Sequence, residues 1–283
     1  MDKMKKKVNF DICTFCNHKC TFCSNSDSRT IKAQISLENF RTVMRSVSKY
    51  VELDELGLSA KGEVLLNSEF VKIVKSAKHE FRVPYVYISS NGALINEKKA
   101  LEIIKSGLDS IKFSINALDR NEYKKVHFTD DFDEVIHNFK TLLVLKKNRY
   151  PKLKLFLSSV VDAEEGLFND KVREIFSENF ELIDGISLYP LGYTPKFEQV
   201  AKGKKITKKC SIPFDEIYIN PDGTLGLCCK DYFDSVDFGS LITNDFLDVY
   251  NSKEFEEIRT MHKISVFPDN HLCKNCLLFA RES

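Results

Sequence analysis

The chain has 283 residues, 43% of them hydrophobic, with Lys+Arg 42 against Asp+Glu 41 and a net charge of +1. A chain of this length can bury a large core without disulfide staples, as one big domain or one plus a small one. The charge balance lacks the basic bias of a nucleic-acid binder, and no apolar run is long enough to span a bilayer, so neither nucleic acid nor membrane is an expected partner.

Lys3, Lys5, Lys6 and Lys7 make a small basic start, which a frayed N-terminus explains as well as an anionic partner does. Residues 8–12 read as a first strand that delivers a cysteine-rich loop. Ser36 can cap a helix running to about Tyr50, with Phe40, Val43, Met44 and Val47 as its apolar stripe. A strand at 55–58, a helix at about 68–80 and a strand in VPYVYISS follow, the last broken by Asn91-Gly92. Next come a helix at about 97–106, the strand SIKFSI and a strong helix over 131–147. The strand KLKLFLSSVV, a helix at 170–180 and the strand GISLYP complete six strands alternating with helices. Such alternation predicts a parallel sheet with helical crossovers, an α/β architecture that curls toward a barrel. Segment 191–209 is polar, with five lysines between Ala201 and Lys209, and reads as a solvated linker. Beyond Cys210, FDEIYI and TLGLC flank Asn-Pro-Asp-Gly, a hairpin signal, and helices are expected at about 245–250 and 253–262.

Nine cysteines fall into groups. The first is CTFCNHKCTFC, with cysteines at 13, 16, 20 and 23. Three thiolates of the C-x3-C-x2-C run suit a soft metal, and a [4Fe-4S] cluster bound by three cysteines keeps one iron open. A four-thiolate zinc site and a disulfide framework are the alternatives. The latter fits poorly with a lysine-rich chain lacking a signal peptide, which points to a reducing, cytoplasmic location.

The spacing of Cys16, Cys20 and Cys23, with the aromatic Phe22 before the last, resembles the radical S-adenosylmethionine (SAM) superfamily. The resemblance implies a partial (β/α)6 barrel over 1–200 with ligands at the C-terminal strand ends. It also implies SAM chelated to the open iron and cleaved reductively to a 5′-deoxyadenosyl radical, with a flavodoxin or ferredoxin-type reductase as electron donor. Glu63 with Gly62 resembles the family's GGE-type contact to the SAM amino group, although Ala60 and Lys61 depart from its glycine-rich approach. Ser89 and Asn91 stand where the family has a TNG-like turn, and Ser114 and Asn116 where relatives show Ser-x-Asp. One of Ser158 and Ser159 is expected at the ligand, Ser158 being taken into the site, and Leu188, Tyr189 and Pro190 are expected beside the adenine.

Cys210-x12-Gly223-x4-Cys228, followed by Cys273-x2-Cys276, looks like the twitch form of the SPASM auxiliary-cluster domain. That likeness implies a small α+β domain over 201–283 holding a second [4Fe-4S] cluster on Cys210, Cys228, Cys273 and Cys276. A structural zinc is the alternative. The spacing is also similar to that of the aminocyclitol dehydrogenase group. The leading expectation is therefore oxidation of a secondary alcohol of a sugar or cyclitol, with the auxiliary cluster accepting an electron. Asp231 is the favoured base among Asp215, Glu216, Lys230 and Asp231. Cys229 and Cys13 are spare thiols, and a hydrogen returned by Cys229 makes epimerisation an alternative; modification of a peptide is another. His18 and His271 are expected to be non-ligands, His18 exposed or at the cluster edge.

Overall fold

The computed structural model describes residues 3–26, 30–59, 61–160, 165–189, 210–269 and 271–276. The expected linker, Ala60 and Pro190 lie outside the described residues. Six strands follow in order: β1 (Lys7–Phe10), β2 (Glu55–Gly57), β3 (Tyr85–Ser90), β4 (Ser110–Ser114), β5 (Lys154–Val160) and β6 (Gly185–Tyr189). Each pairs in parallel with the next, so spatial order repeats chain order and never reverses. A doubly wound sheet reverses at a switch point. A sheet wound in one direction curls, giving the partial (β/α)6 barrel.

Alternation sorts the side chains. Ile88, Ile111 and Leu155 are in register and wholly buried toward the helices. Ser114, Ser158 and Ser187 form a polar row on the other face. Helix α1 (Leu37–Tyr50) supplies Phe40, Val43, Met44 and Val47 to the core, all fully buried, and the Ser36 hydroxyl accepts from the Asn39 N–H at 3.2 Å. Each such side chain contributes about 1.5–3 kcal/mol on burial.

Three expectations need correction. The helix at 68–80 is α2 (Phe70–Lys75) widening into a π turn over Ser76–Glu80, where the Phe81 N–H reaches the Ser76 carbonyl. α3 (Glu97–Lys105) follows as expected, but a further helix, α4 (Arg120–His127), precedes α5 (Phe132–Asn148). Asp119 caps α4 by accepting from the Asn121 and Glu122 N–H groups at 2.9 and 3.1 Å. The helix expected at 170–180 is α6 (Glu165–Ile175), ending before a kinked 3-10 segment, Ser177–Leu182, with Asn179 outside helical geometry.

The chain after Cys210 extends the same sheet. α7 (Ile212–Asp215) leads into β7 (Glu216–Ile219), which pairs in parallel with β1 from Lys7↔Glu216 to Phe10↔Ile219. β8 (Leu225–Gly226) returns antiparallel after the Asn220–Gly223 turn, where Gly223 has φ +82°. α8 (Phe246–Tyr250) docks on α1: Phe246 is buried against Tyr50, and its N–H donates to the Ser46 hydroxyl at 2.9 Å. α9 (Lys253–Ile264), capped by Ser252, is the last α-helix among the described residues, and a 3-10 turn over Leu272–Asn275 follows it. The basic start is not frayed. Met4–Lys5 pairs with Val51–Glu52, Lys7 meets Glu55 at 3.5 Å, and Lys6 donates to the Phe214 carbonyl. Among the described residues no helix is long and apolar enough to cross a membrane.

Asn67 ties this frame to the loop above it. Its buried amide donates to the Ile12 and Ile35 carbonyls at 2.8 and 2.9 Å. Asn67→Ala leaves two buried carbonyls without these donors and is expected to cost about 2–4 kcal/mol, read as a lower urea midpoint at unchanged m-value.

Candidate active site

The loop after β1 has little regular structure and is held from two sides. On one side, a Cβ on Gly62 would lie 2.5 Å from the Cys13 carbonyl oxygen and 2.6 Å from that of Phe15, so only glycine allows this approach. The next residue, Glu63, donates its N–H to the Phe15 carbonyl at 2.8 Å. On the other side, α4 offers its last carbonyls: Val126 accepts from the Thr21 N–H at 2.9 Å and His127 from the Lys19 N–H at 3.2 Å.

Held this way, Cys16, Cys20, Cys23 and Phe22 border a cavity of about 200 Å³ together with Gly62, Glu63, Ser89, Asn91, Ser114 and Asn116. Burial, joined by the charge of neighbouring thiols, pushes the Cys16 thiol up to about 11 and Cys20 higher still. Such thiols resist ionising alone. Three soft donors facing one another in a site that disfavours bare thiolates fit an iron–sulfur core, whose positive charge neutralises them. Cys13 stands apart, buried, with its thiol toward the Phe15 carbonyl at 3.9 Å.

Glu63 is 2% exposed and its carboxyl is raised by burial. One oxygen accepts from the Asn91 N–H at 2.8 Å, the other from the Ser90 hydroxyl at 2.9 Å and the Leu65 N–H at 3.1 Å. Ser89 accompanies Ser59, whose hydroxyl accepts the Ser89 N–H at 2.6 Å. The Asn91 amide donates to the Asn17 side-chain oxygen at 2.8 Å. Ser158 faces the same side as Ser114, but its hydroxyl donates to the Phe113 carbonyl at 3.3 Å and it does not border this cavity. Ser159 lies on the helix face, its hydroxyl buried without a partner among the described residues. Tyr189 is 37% exposed at the end of β6, beneath the Lys112 ammonium and away from the cavity.

Six residues on the cavity wall were not expected: Lys19, Asn25, Ser59, Lys61, His127 and Tyr232. Of the two places expected for His18, the structure gives the edge of the first cysteine set, where it is buried. Its Nδ1 is 3.0 Å from His127 Nδ1 and its Nε2 2.9 Å from Asp131 Oδ2. His127 Nδ1 is also 3.5 Å from Cys20 Sγ. Burial and the neighbouring His18 hold the His127 imidazole down at about 3, so it is neutral at physiological pH. Lys61, with its side chain 4% exposed, donates to Asn220 Oδ1 at 3.0 Å and to Asp234 Oδ1 at 2.5 Å, tying the loop after β2 to the C-terminal segment. The Tyr232 phenol is raised by burial first and then by the neighbouring Cys23 and Cys229. The Lys61 partners are 159 and 173 residues away in sequence, beyond the reach of any local pattern.

The second cysteine set also converges. Cys210 is pushed up to about 11 by burial and then by Cys276, and Cys273 to about 12 by burial and then by Cys276 and Cys210. Cys228 is raised by burial, Cys229 and Cys273. This four-thiol donor set fits a cluster for the same reason as the first. His271 is occupied as a cap, its Nδ1 accepting the Cys273 N–H at 3.1 Å. Asp231 is turned into its own loop: its oxygens accept the Ser235 N–H at 3.0 and 3.1 Å and the Ser235 hydroxyl at 3.0 Å, and it does not border the cavity.

Residues 11–152 match the radical SAM superfamily, and residues 210–277 match an iron-sulfur cluster-binding domain, SPASM. Among sequence relatives, the GTP 3',8-cyclase of Chlorobaculum tepidum is 25% identical over 173 residues, covering 59% of this chain; the chain spans about half of that relative's length, 50%. Among solved structures, BtrN in complex with AdoMet and 2-DOIA is similar with a TM-score of 0.60 at 14% identity, over 93% of this chain and 89% of that one. SuiB of Streptococcus suis bound to precursor peptide SuiA has a TM-score of 0.68 at 15% identity, over 98% of this chain and 70% of that one. At such identities these likenesses speak to the fold.

Gly62→Ala forces backbone apart at the Cys13–Phe15 turn. The Gly62→Ala variant, like Cys16→Ala, is expected to reconstitute with about half the iron of the native chain. An iron and sulfide assay on the folded proteins checks this.

Proposed function

Because the chain belongs to the radical SAM superfamily and carries an iron-sulfur cluster-binding domain, we propose that it oxidises a secondary alcohol of a small sugar-like or cyclitol substrate to a ketone. When bound, SAM and its [4Fe-4S] cluster supply a carbon-centred hydrogen-abstracting radical, and the auxiliary cluster supplies an electron acceptor. The proposed ligands are Cys16, Cys20 and Cys23 for the first and Cys210, Cys228, Cys273 and Cys276 for the second. The proposed division is a barrel over 1–200 and a cluster domain over 201–283, reduced by a flavodoxin or ferredoxin-type partner.

One observation carries the reading. Tyr232 borders the same cavity as Cys16, Cys20 and Cys23, and it stands three residues past Cys229. A substrate held there has the first cysteine set on one side and the loop of the second on the other. Glu63, Ser89 and Asn91 are the residues we assign to the SAM amino-acid end, with Ser114 and Asn116 toward the ribose.

Alcohol oxidation also needs a proton acceptor. Asp231 has both oxygens committed to Ser235, so we assign proton removal to the Lys61–Asp234 pair instead. A proton leaving a substrate hydroxyl passes to the Lys61 nitrogen as a Lys61 proton passes to the Asp234 carboxylate. Lys61 borders the cavity with its nitrogen beside Asp234, which supports this assignment. General-base catalysis requires the substrate hydroxyl to be held within hydrogen-bond reach of that nitrogen.

A second reading draws on Cys229. Its thiol sits among Tyr218, Tyr232 and the second cysteine set, and a hydrogen atom returned from it makes the reaction a redox-neutral epimerisation. Peptide modification draws on the likeness to SuiB bound to its precursor peptide.

Incubation of the reconstituted chain with SAM, reductant and candidate polyols in D2O, followed by mass analysis, separates these. A product lighter by one H2 is expected. A product of unchanged skeleton carrying one solvent deuterium would support epimerisation and overturn dehydrogenation.

A further inference from the structure

The histidine pair behind the first cysteine set has a determined proton arrangement. The backbone N–H of Asn116 can only donate, and it faces His127 Nε2 at 3.4 Å. His127 Nε2 is therefore the bare acceptor nitrogen. The Asn116 amide agrees: its oxygen accepts the Val160 N–H at 2.8 Å, which turns its nitrogen toward the same Nε2 at 3.3 Å. An imidazole whose Nε2 is bare carries its proton on Nδ1. That N–H lies 3.0 Å from His18 Nδ1 and 3.5 Å from Cys20 Sγ. His18 Nδ1, receiving it, is bare in turn, so His18 donates through Nε2 to Asp131 at 2.9 Å. Every member of the chain from Val160 to Asp131 is satisfied in this one arrangement.

The ring cannot rotate out of it. Tyr123 stacks on His127 with centroids 4.0 Å apart and planes 13° apart, and His127 is wholly buried. The residue ends α4, whose last two carbonyls already hold Lys19 and Thr21 on either side of Cys20.

We propose that His127 is a positioning residue for the first cluster, donating its Nδ1–H to the Cys20 thiolate and thereby making that cluster easier to reduce. The donor is shared with His18 Nδ1, and a metal-bound thiolate, being anionic, draws the larger share. Hydrogen bonds to cluster sulfurs are among the protein's means of setting cluster potential, because they stabilise the more negative reduced state. This rests on the reading of Cys16, Cys20 and Cys23 as the ligands of the SAM-binding cluster.

The test is an EPR-monitored redox titration of the reconstituted full chain, following the reduced-cluster signal that changes on adding SAM. His127→Leu is expected to keep the native iron content and to shift the midpoint of this signal to more negative potential. His127→Asn, whose amide nitrogen stands near the Nδ1 position, is expected to recover most of that shift. The native chain labelled with 15N-histidine provides a measurement independent of any variant: pulsed EPR is expected to show a weak 15N coupling to the SAM-responsive cluster. An unshifted midpoint in His127→Leu, or no 15N coupling in the native chain, overturns the proposal. A strong coupling with iron lost from both variants also overturns it, making His127 a ligand. A native chain with no SAM-responsive signal overturns the ligand reading itself, and is distinguishable because it appears before any substitution.

Discussion

A carboxylate shut away from water is the constraint on which the site depends. Glu63 reaches its buried position only because Gly62 lets the backbone pass against the Cys13–Phe15 turn. Once there, it satisfies the Asn91 N–H at the end of β3, the Ser90 hydroxyl and the Leu65 N–H. An isolated buried charge is costly and is tolerated only with such partners. One residue thus ties the ends of β2 and β3 together through its side chain and to the cysteine loop through its N–H.

The cysteine loop has no strand or α-helix of its own to organise it. It borrows order from α4 on one side and from the Gly62–Glu63 turn on the other. Both supports act through backbone carbonyls and N–H groups, and the three thiols border the cavity between them. The short connections to α4 also explain why histidines separated by more than a hundred residues meet beside Cys20: His18 rides on the loop and His127 on the helix that holds it.

Much of this was legible in the sequence because the signals were local. Phe40, Val43, Met44 and Val47 repeat at helical spacing, Asn-Pro-Asp-Gly marks its turn, and cysteine spacing needs no tertiary knowledge. α4 was missed because RNEYKKVH carries only Tyr123 and Val126 as clear apolar residues, although Asp119 and Glu122 do spell a helix start. The end of α2 was obscured because the apolar spacing continues through Ala77 while the hydrogen bonding widens into a π turn. Asp231 misled by proximity. Standing next to the cysteine pair suggested a catalytic aim, whereas a short acidic side chain readily bonds its own loop, as it does with Ser235. Lys61 looked like a mere departure from a glycine-rich turn, since its meaning lies in Asn220 and Asp234.

The parallel pairing of β7 with β1 has a consequence for electron movement. β1 runs directly into the first cysteine group, and β7 into the hairpin that carries Cys228, with Phe10 beside Ile219 and the Asp11 N–H on the Ile219 carbonyl at 2.8 Å. The two proposed cluster sites, one following β1 and the other built partly from residues flanking β7 and β8, have their separation tied to this ladder. A slip of one residue would displace one relative to the other by about 3.3 Å, and tunnelling rates fall steeply over such lengths. In the proposed reaction the ladder acts as a ruler, holding the gap that charge would cross at one length whatever molecule occupies it.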